Sequence, residues 1–242
     1  MTQREASVAI VGAGDFIGAA IARRFARDGY IVHGGRRGGD KLAPLAEEIA
    51  GTGGRFVGHS LDARKEDDIR RFLDAAEASA PLDLCIFNVG ANVNFPLLET
   101  TERVFRKVWE MACYGGFLAG REAARRMLPR GRGSIFFTGA TASMRGGNGY
   151  AAFAAAKGGL RLMAQSMARE LGPQGIHVAH LVIDAGVDTA WVRERFAARD
   201  GEIAPDQLMD PASIAETYWQ LHRQPRDAWT HEIDLRPYRE NW

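Results

Sequence analysis

Short apolar runs rich in β-branched and aromatic residues recur along the chain, separated by longer stretches of helical periodicity. They are "SVAIVG" near residue 7, "YIVHG" near 30, "RFVGH" near 55, "LDLCIF" near 82, "SIFFT" near 134 and "IHVAHLVI" near 176, with a weaker "HEIDL" near 231. Each has the length of a strand buried on both faces, and each interval is long enough for a crossover helix. The alternation predicts a parallel sheet sandwiched between helices. In one interval Leu160, Met163, Ala164, Met167 and Leu171 share a helical face, and Gly172 with Pro173 stops the helix. With 242 residues, no internal repeat and no low-complexity segment, the chain is expected to form a single domain over 1–242.

Charge removes some function classes. Lys plus Arg total 31 against 30 Asp plus Glu, a net +1 that is too balanced to point to nucleic acid or an anionic membrane as partner. No apolar run approaches the ~18 residues of a membrane span, and the first residues lack a basic-then-apolar signal pattern. A cytoplasmic protein is expected, with small molecules or copies of itself as partners. Cys85 and Cys113 are too few for a disulfide framework and are expected to be reduced and buried.

"VAIVGAGDFIGAAIARRFARDGY" runs from a strand directly into an amphipathic helix, with Gly12, Gly14 and Gly18 between. Glycines there permit positive φ and let backbone amides approach a pyrophosphate, while the helix N-terminus adds partial positive charge. A dinucleotide is expected at this turn, held by Gly12, Gly14, Asp15, Phe16 and Ile17. After the second strand an NAD-selecting protein usually carries an acidic residue for the ribose hydroxyls. This chain has "HGGRRGGDKL", where Arg36 and Arg37 suit a 2′-phosphate. NADP is the expected cofactor, and Asp40 keeps NAD open.

Several motifs in order make the chain resemble the short-chain dehydrogenase/reductase superfamily over nearly its whole length. "VGAGDFIGAAIA" is similar to its T-G-x-x-x-G-x-G turn, with Val11 for the threonine and Phe16 for a glycine. "LDAR" matches the segment whose aspartate, here Asp62, holds the adenine amino group. "FNVG" resembles N-N-A-G and keeps Asn88 and Gly90. "VIDAGVDT" resembles the N-P-G-x-V-x-T segment beside the nicotinamide, keeping Val187 and Thr189 but carrying Asp184 for the proline and Ala185 for the glycine. The resemblance implies a three-layer Rossmann-type, doubly wound α/β domain, NAD(P) binding and a homo-oligomer, dimer or tetramer.

The catalytic part of the pattern departs from the family. Lys157 fits the family's lysine, which binds the cofactor ribose and lowers the pKa of a tyrosine four residues earlier; that position is Phe153. The serine position falls on Ala140 and the asparagine position on Ala112. Phenylalanine has no proton to give, and Ala140 removes an oxyanion donor worth a few kcal/mol at comparable sites.

Tyr150 precedes Lys157 by seven residues, within about 20° of one helical face but ~10 Å along the axis. The spacing resembles the tyrosine and lysine of the enoyl reductases of fatty-acid synthesis, a divergent branch that reduces an activated C=C bond. Tyr150 and Lys157 are therefore the candidate catalytic pair; packing at the mouth of a cleft is the other role open to Tyr150. Thr138, Thr141 and Ser143 flank Ala140 and either approach a substrate or cap the next turn. Asp184 either binds a loop amide, orients substrate, or acts as an acid if burial raises its pKa. Tyr114 lies two residues past the vacated asparagine position, facing the same cleft, the core or an interface.

Near the C-terminus, Trp229, Tyr238 and Trp242 among arginines fit an interface or a tail folded over its own sheet. The Arg-rich "RERFAARDGEIAP" lies where the family covers its substrate, and serves an acidic substrate or a solvated helix face. Two functions follow: an NAD(P)-dependent oxidoreductase with non-standard proton delivery to a C=C or C=O bond, or a catalytically silent NAD(P)-binding sensor or scaffold.

Overall fold

The computed structural model describes residues 4–200, 203–204 and 206–240. Seven strands form one parallel sheet: β1 (Ser7–Val11), β2 (Ile31–Arg36), β3 (Arg55–Ser60), β4 (Leu82–Phe87), β5 (Gly133–Thr138), β6 (Ile176–Ile183) and β7 (Glu232–Leu235), in spatial order β3-β2-β1-β4-β5-β6-β7. All seven fall on the apolar runs. The connections run outward one way from β1 and the other way from β4, so the order reverses between these two strands. A crevice forms outside the strand ends at such a reversal.

Alternate residues of the inner strands feed two separate cores. Val8 and Ile10 of β1, Leu84 and Ile86 of β4 and Phe136 of β5 pack with α1 (Ile17–Arg27), α2 (Ala43–Gly51) and α8 (Pro211–His222). Ala9 and Val11, Cys85 and Phe87, and Ile135 and Phe137 pack on the other face with α3 (Glu66–Ser79), α5 (Gly115–Met127) and α6 (Ala151–Leu171). The helix read from Leu160 to Leu171 is the second half of α6, which ends at Leu171 with Gly172 as its cap. Residues of α7 (Ala190–Asp200) follow β6.

Between β4 and α5, α4 (Glu102–Trp109) starts on Thr101, whose side chain accepts the Val104 amide, and passes through a π turn at Glu110–Tyr114. That extra residue resets the helical phase. Tyr114 consequently lies between Trp109 and Phe117, ring centroids 5.9 and 6.2 Å away. It does not line the crevice at the reversal point, and it packs against the core, so of the roles read for it the cleft is excluded.

One further expectation is corrected. β3 is the edge strand among the described residues and is not buried on both faces: Val57 is 42% exposed. Trp229 stacks on His177 at 4.9 Å with its ring nearly parallel, so it covers its own sheet; Tyr238 is exposed, and Trp242 lies outside the described residues. Cys85 and Cys113 are buried free thiols, as expected.

The reversal point depends on one glycine. Gly12 has φ +97°, and a Cβ there would sit 2.6 Å from the Asn88 carbonyl oxygen. Gly158, inside α6, would place a Cβ with nothing within 4 Å. Gly12→Ala is therefore expected to lose about 1–3 kcal/mol of stability, whereas Gly158→Ala gains about 0.5–1 kcal/mol. Urea unfolding of both variants reads the contrast directly.

Candidate active site

A cleft of about 570 Å³ lies over the strand ends at the reversal point. Its floor at one end is the glycine turn with Gly12, Gly14, Asp15, Phe16 and Ile17; at the other it reaches Tyr150, Phe153 and Lys157. A second cavity of about 240 Å³ continues from the same Gly12, Gly14, Asn88 and Gly90 toward Arg36, Arg37 and Asp62. Val187 and Thr189 close the first cleft from the β6 side. The fold thus gathers around two adjoining cavities residues drawn from seven separated stretches of sequence.

At the glycine turn, α1 begins after Phe16 with no side chain capping it. Among the described residues the amides of Asp15, Phe16 and Ile17 have no hydrogen-bond partner inside the chain. Uncapped amides at a helix N-terminus form a ready anion site. A Cβ on Gly14 or Gly90 would meet nothing within 4 Å, so both glycines border open space. Phe16 stands with φ −109°, outside the left-handed region, and is exposed.

In the second cavity Arg36 is drawn to the glycine turn by an ion pair with Asp15 at 2.6 Å. Arg37 is exposed, and among the described residues it makes no ion pair. Asp62 is gripped at both oxygens by Arg64, at 2.9 and 2.6 Å. Those bonds hold its carboxyl down at about 2. Arg64 was not singled out from the sequence, although it closes the "LDAR" motif two residues after Asp62.

A chain of hydrogen bonds fixes the floor. The Asn88 side chain donates to the Gly12 carbonyl at 3.0 Å and accepts from the Thr138 hydroxyl at 3.0 Å, and Thr138 meets the buried Tyr218 hydroxyl of α8 at 2.6 Å. Thr138 is thus spent on structure. Ser143 is too, accepting the Ala140 amide at 3.1 Å.

Lys157 is buried, and its ammonium donates to the carbonyls of Thr138 at 2.7 Å and Val89 at 3.1 Å. Desolvation lowers its pKa to about 8. The Phe153 ring centroid lies 5.9 Å from the nitrogen. Ala112 and Phe153 belong to one small apolar cluster with Val108, Cys113 and Ala156, and Ala140 and Tyr150 pack against it. Ala112, Ala140 and Phe153, which the resemblance aligns with the family's asparagine, serine and tyrosine, therefore meet in one apolar wall. Tyr150 caps α6 as the last residue before the helix, and its ring lines the cleft.

Asp184 is 1% exposed, and the expectation of a raised pKa is corrected. Desolvation pushes its pKa up, but hydrogen bonds from Thr141 and Arg145, with the charges of Arg145 and Arg236, outweigh it and hold the carboxyl below its ordinary value. Asp184 is an ionised anchor and not an acid. Arg145 meets it through both terminal nitrogens at 3.2 and 3.0 Å and lines the cleft. Arg145 went unnoticed in the sequence because its partner is 39 residues away. The exposed arginines of α7 serve elsewhere: Arg193 pairs with Asp188 at 2.5 Å and Arg195 lies over Trp191, and neither lines the cleft. Residues 201–202 and 205 of that Arg-rich stretch lie outside the described residues.

The Lys157 shift fixes a pH dependence. Its folded pKa of about 8 lies below the 10.5 of a free lysine, so stability is fully present above pH 10.5 and is lost as pH falls through about 8. The difference is worth about 3 kcal/mol. The stability of the wild type minus that of Lys157→Met, by guanidinium unfolding without ligand, is expected to rise by roughly that amount from pH 7.5 to 11. A flat difference would rule out the depressed lysine.

Residues 6–200 match the family model described as short chain dehydrogenase. A short-chain dehydrogenase from Rhodopseudomonas palustris is 59% identical in crystal structure, with TM-score 0.85, covering 97% of this chain and 100% of that one. An alcohol dehydrogenase from the archaeon Thermococcus sibiricus, complexed with 5-hydroxy-NADP, is 25% identical with TM-score 0.80, covering 98% of each chain. The 2-dehydro-3-deoxy-D-gluconate 5-dehydrogenase of Formosa agariphila is 30% identical over 70% of this chain, and the match spans 65% of that relative's length.

Proposed function

The chain belongs to the short-chain dehydrogenase family, and from that premise we propose that it is an NADP-dependent oxidoreductase of a small-molecule substrate whose proton delivery bypasses the family's tyrosine. The observation that carries the reading is the continuity of the cleft, from the uncapped glycine turn to Lys157 and the apolar wall. The residues present fit the dinucleotide. The amides of Asp15, Phe16 and Ile17 suit a pyrophosphate, Asn88, Gly90, Val187 and Thr189 border its path, and Lys157 suits the ribose. Asp62 suits the adenine, with Arg64 already on its carboxylate. Arg36 and Arg37 suit a 2′-phosphate, with Arg37 unengaged by any acid among the described residues. The relative from Thermococcus sibiricus, complexed with 5-hydroxy-NADP, supports the same reading.

A bound nicotinamide supplies or accepts a hydride. The accompanying proton must come from elsewhere, and Phe153 and Ala140 offer none. Tyr150 lines the cleft at the N-terminal end of the helix that carries Lys157, which makes it the proposed donor, best suited to an enolate-forming C=C reduction. One observation favours a second reading, a silent NADP-binding protein: the replaced positions pack into a single apolar cluster. The outer aromatic stack of Trp109, Tyr114 and Phe117 supports a homo-oligomer, and the balanced charge a cytoplasmic one.

Fluorescence titration of the purified protein should show NADPH binding at least about tenfold tighter than NADH, as expected for one charge-assisted phosphate contact, with Arg37→Ala narrowing the gap. Equal affinity would exclude the phosphate role. On a panel of ketones and enones, turnover should fall by about 10²–10⁴ in Tyr150→Phe. Turnover untouched by that change removes Tyr150 as donor, and binding without turnover favours the silent reading. Phe153→Tyr with Ala140→Ser should add ordinary carbonyl reduction.

A further inference from the structure

The cleft holds one feature that the dinucleotide reading does not use. Among the described residues lining it, the charged side chains are Asp15, Arg145 and Lys157. Asp15 is paired with Arg36, and Lys157 is buried with its ammonium donated to two carbonyls. That leaves Arg145, with a side chain 44% exposed, as the cation presented to a ligand in the cleft.

Its orientation is fixed from behind. Asp184 takes one hydrogen from each terminal nitrogen of Arg145, which occupies the end-on edge of the guanidinium. The side-on edge, Nε–H with the outer Nη–H, has no hydrogen bond among the described residues. A guanidinium held in this way presents a planar two-donor fork with little rotamer entropy left to lose. Asp184 does not cancel the charge of Arg145 alone, because Arg236 also contacts it at 3.4 Å; Arg236 in turn pairs with the half-exposed Asp234. The pair is not part of the family pattern, which carries proline where Asp184 stands.

We propose that Arg145 is a specificity-determining residue that receives a substrate carboxylate on its free edge, so that the substrate is a carboxylic acid with an apolar body. The body follows from the walls on either side. Ala140, Ala142, Tyr150 and Phe153 line the cleft as one apolar surface, and Phe16 stands at the opposite rim. A neutral polar substrate would leave that surface wet and the fork unused, whereas an apolar acid satisfies both. Two oxygens in a plane match the fork, and the contact is a charge-assisted pair inside a cleft with apolar walls. The proposal rests on the oxidoreductase reading for what happens to the substrate, but the recognition step can be read without turnover.

The experiment is calorimetric titration of 4-phenylbutanoate, butanoate and 4-phenylbutanamide, with and without saturating NADPH. The acid with the phenyl group should bind at least about tenfold tighter than its amide, and tighter than butanoate. In Arg145→Gln the preference for acid over amide should vanish while NADPH affinity stays as in the wild type. Arg145→Lys, which keeps the charge without the fork, should keep only part of it and provides the reading if Arg145→Gln folds poorly. Equal binding of acid and amide, absence of binding by either acid, or a preference that survives Arg145→Gln would each overturn the proposal. Failure of NADPH to bind the wild type would count against the dinucleotide reading alone, because the acid–amide comparison is also made without it.

Discussion

Everything at the cleft depends on how closely β1 and β4 approach where the sheet order reverses. Asn88 donates its backbone amide to Val11 and its side-chain amide to Gly12, and its carbonyl backs onto the Gly12 Cα. Through Thr138 the same asparagine is fastened to β5 and to Tyr218 of α8. Three strand ends and a helix from the opposite layer are thereby locked at one level. Lys157 draws on the same frame, because the carbonyl of Thr138 is one of its two acceptors. A disturbance at Gly12 therefore reaches the lysine through shared hydrogen bonds.

The strands were legible because they are short, apolar and rich in β-branched and aromatic residues. The glycine turn was legible for a similar reason: strand, glycines and amphipathic helix are contiguous. What escaped was whatever depends on rotation or on distant pairing. The choice between cleft and core for Tyr114 stayed open because a π turn adds a residue that counting at a regular helical step cannot anticipate. Arg145 sits in a glycine-rich loop with no periodicity, and only the fold brings it to Asp184. For Asp184 the acid role was one of three left open, and the two arginines that remove it lie on different segments.

The apolar wall explains why its members belong together. Ala112, Ala140 and Phe153 come from a helix, a loop and another helix, yet they contact one cluster. A single hydroxyl or amide left there would face carbon on most sides and lose its water without gaining a partner. The π turn around Ala112 is held by its backbone hydrogen bonds, and the methyl group at that position packs into the same cluster.

Lys157 has a further consequence. An ammonium group carries three protons, and two of them go to Val89 and Thr138. One valence of the nitrogen remains uncommitted. Below about pH 8 that valence is an N–H, and above it the neutral amine keeps both carbonyl bonds while the third position becomes a lone pair. The hydrogen-bonding sense of the cleft at this point thus inverts at about pH 8. A ligand hydroxyl placed there accepts on one side of that pH and donates on the other.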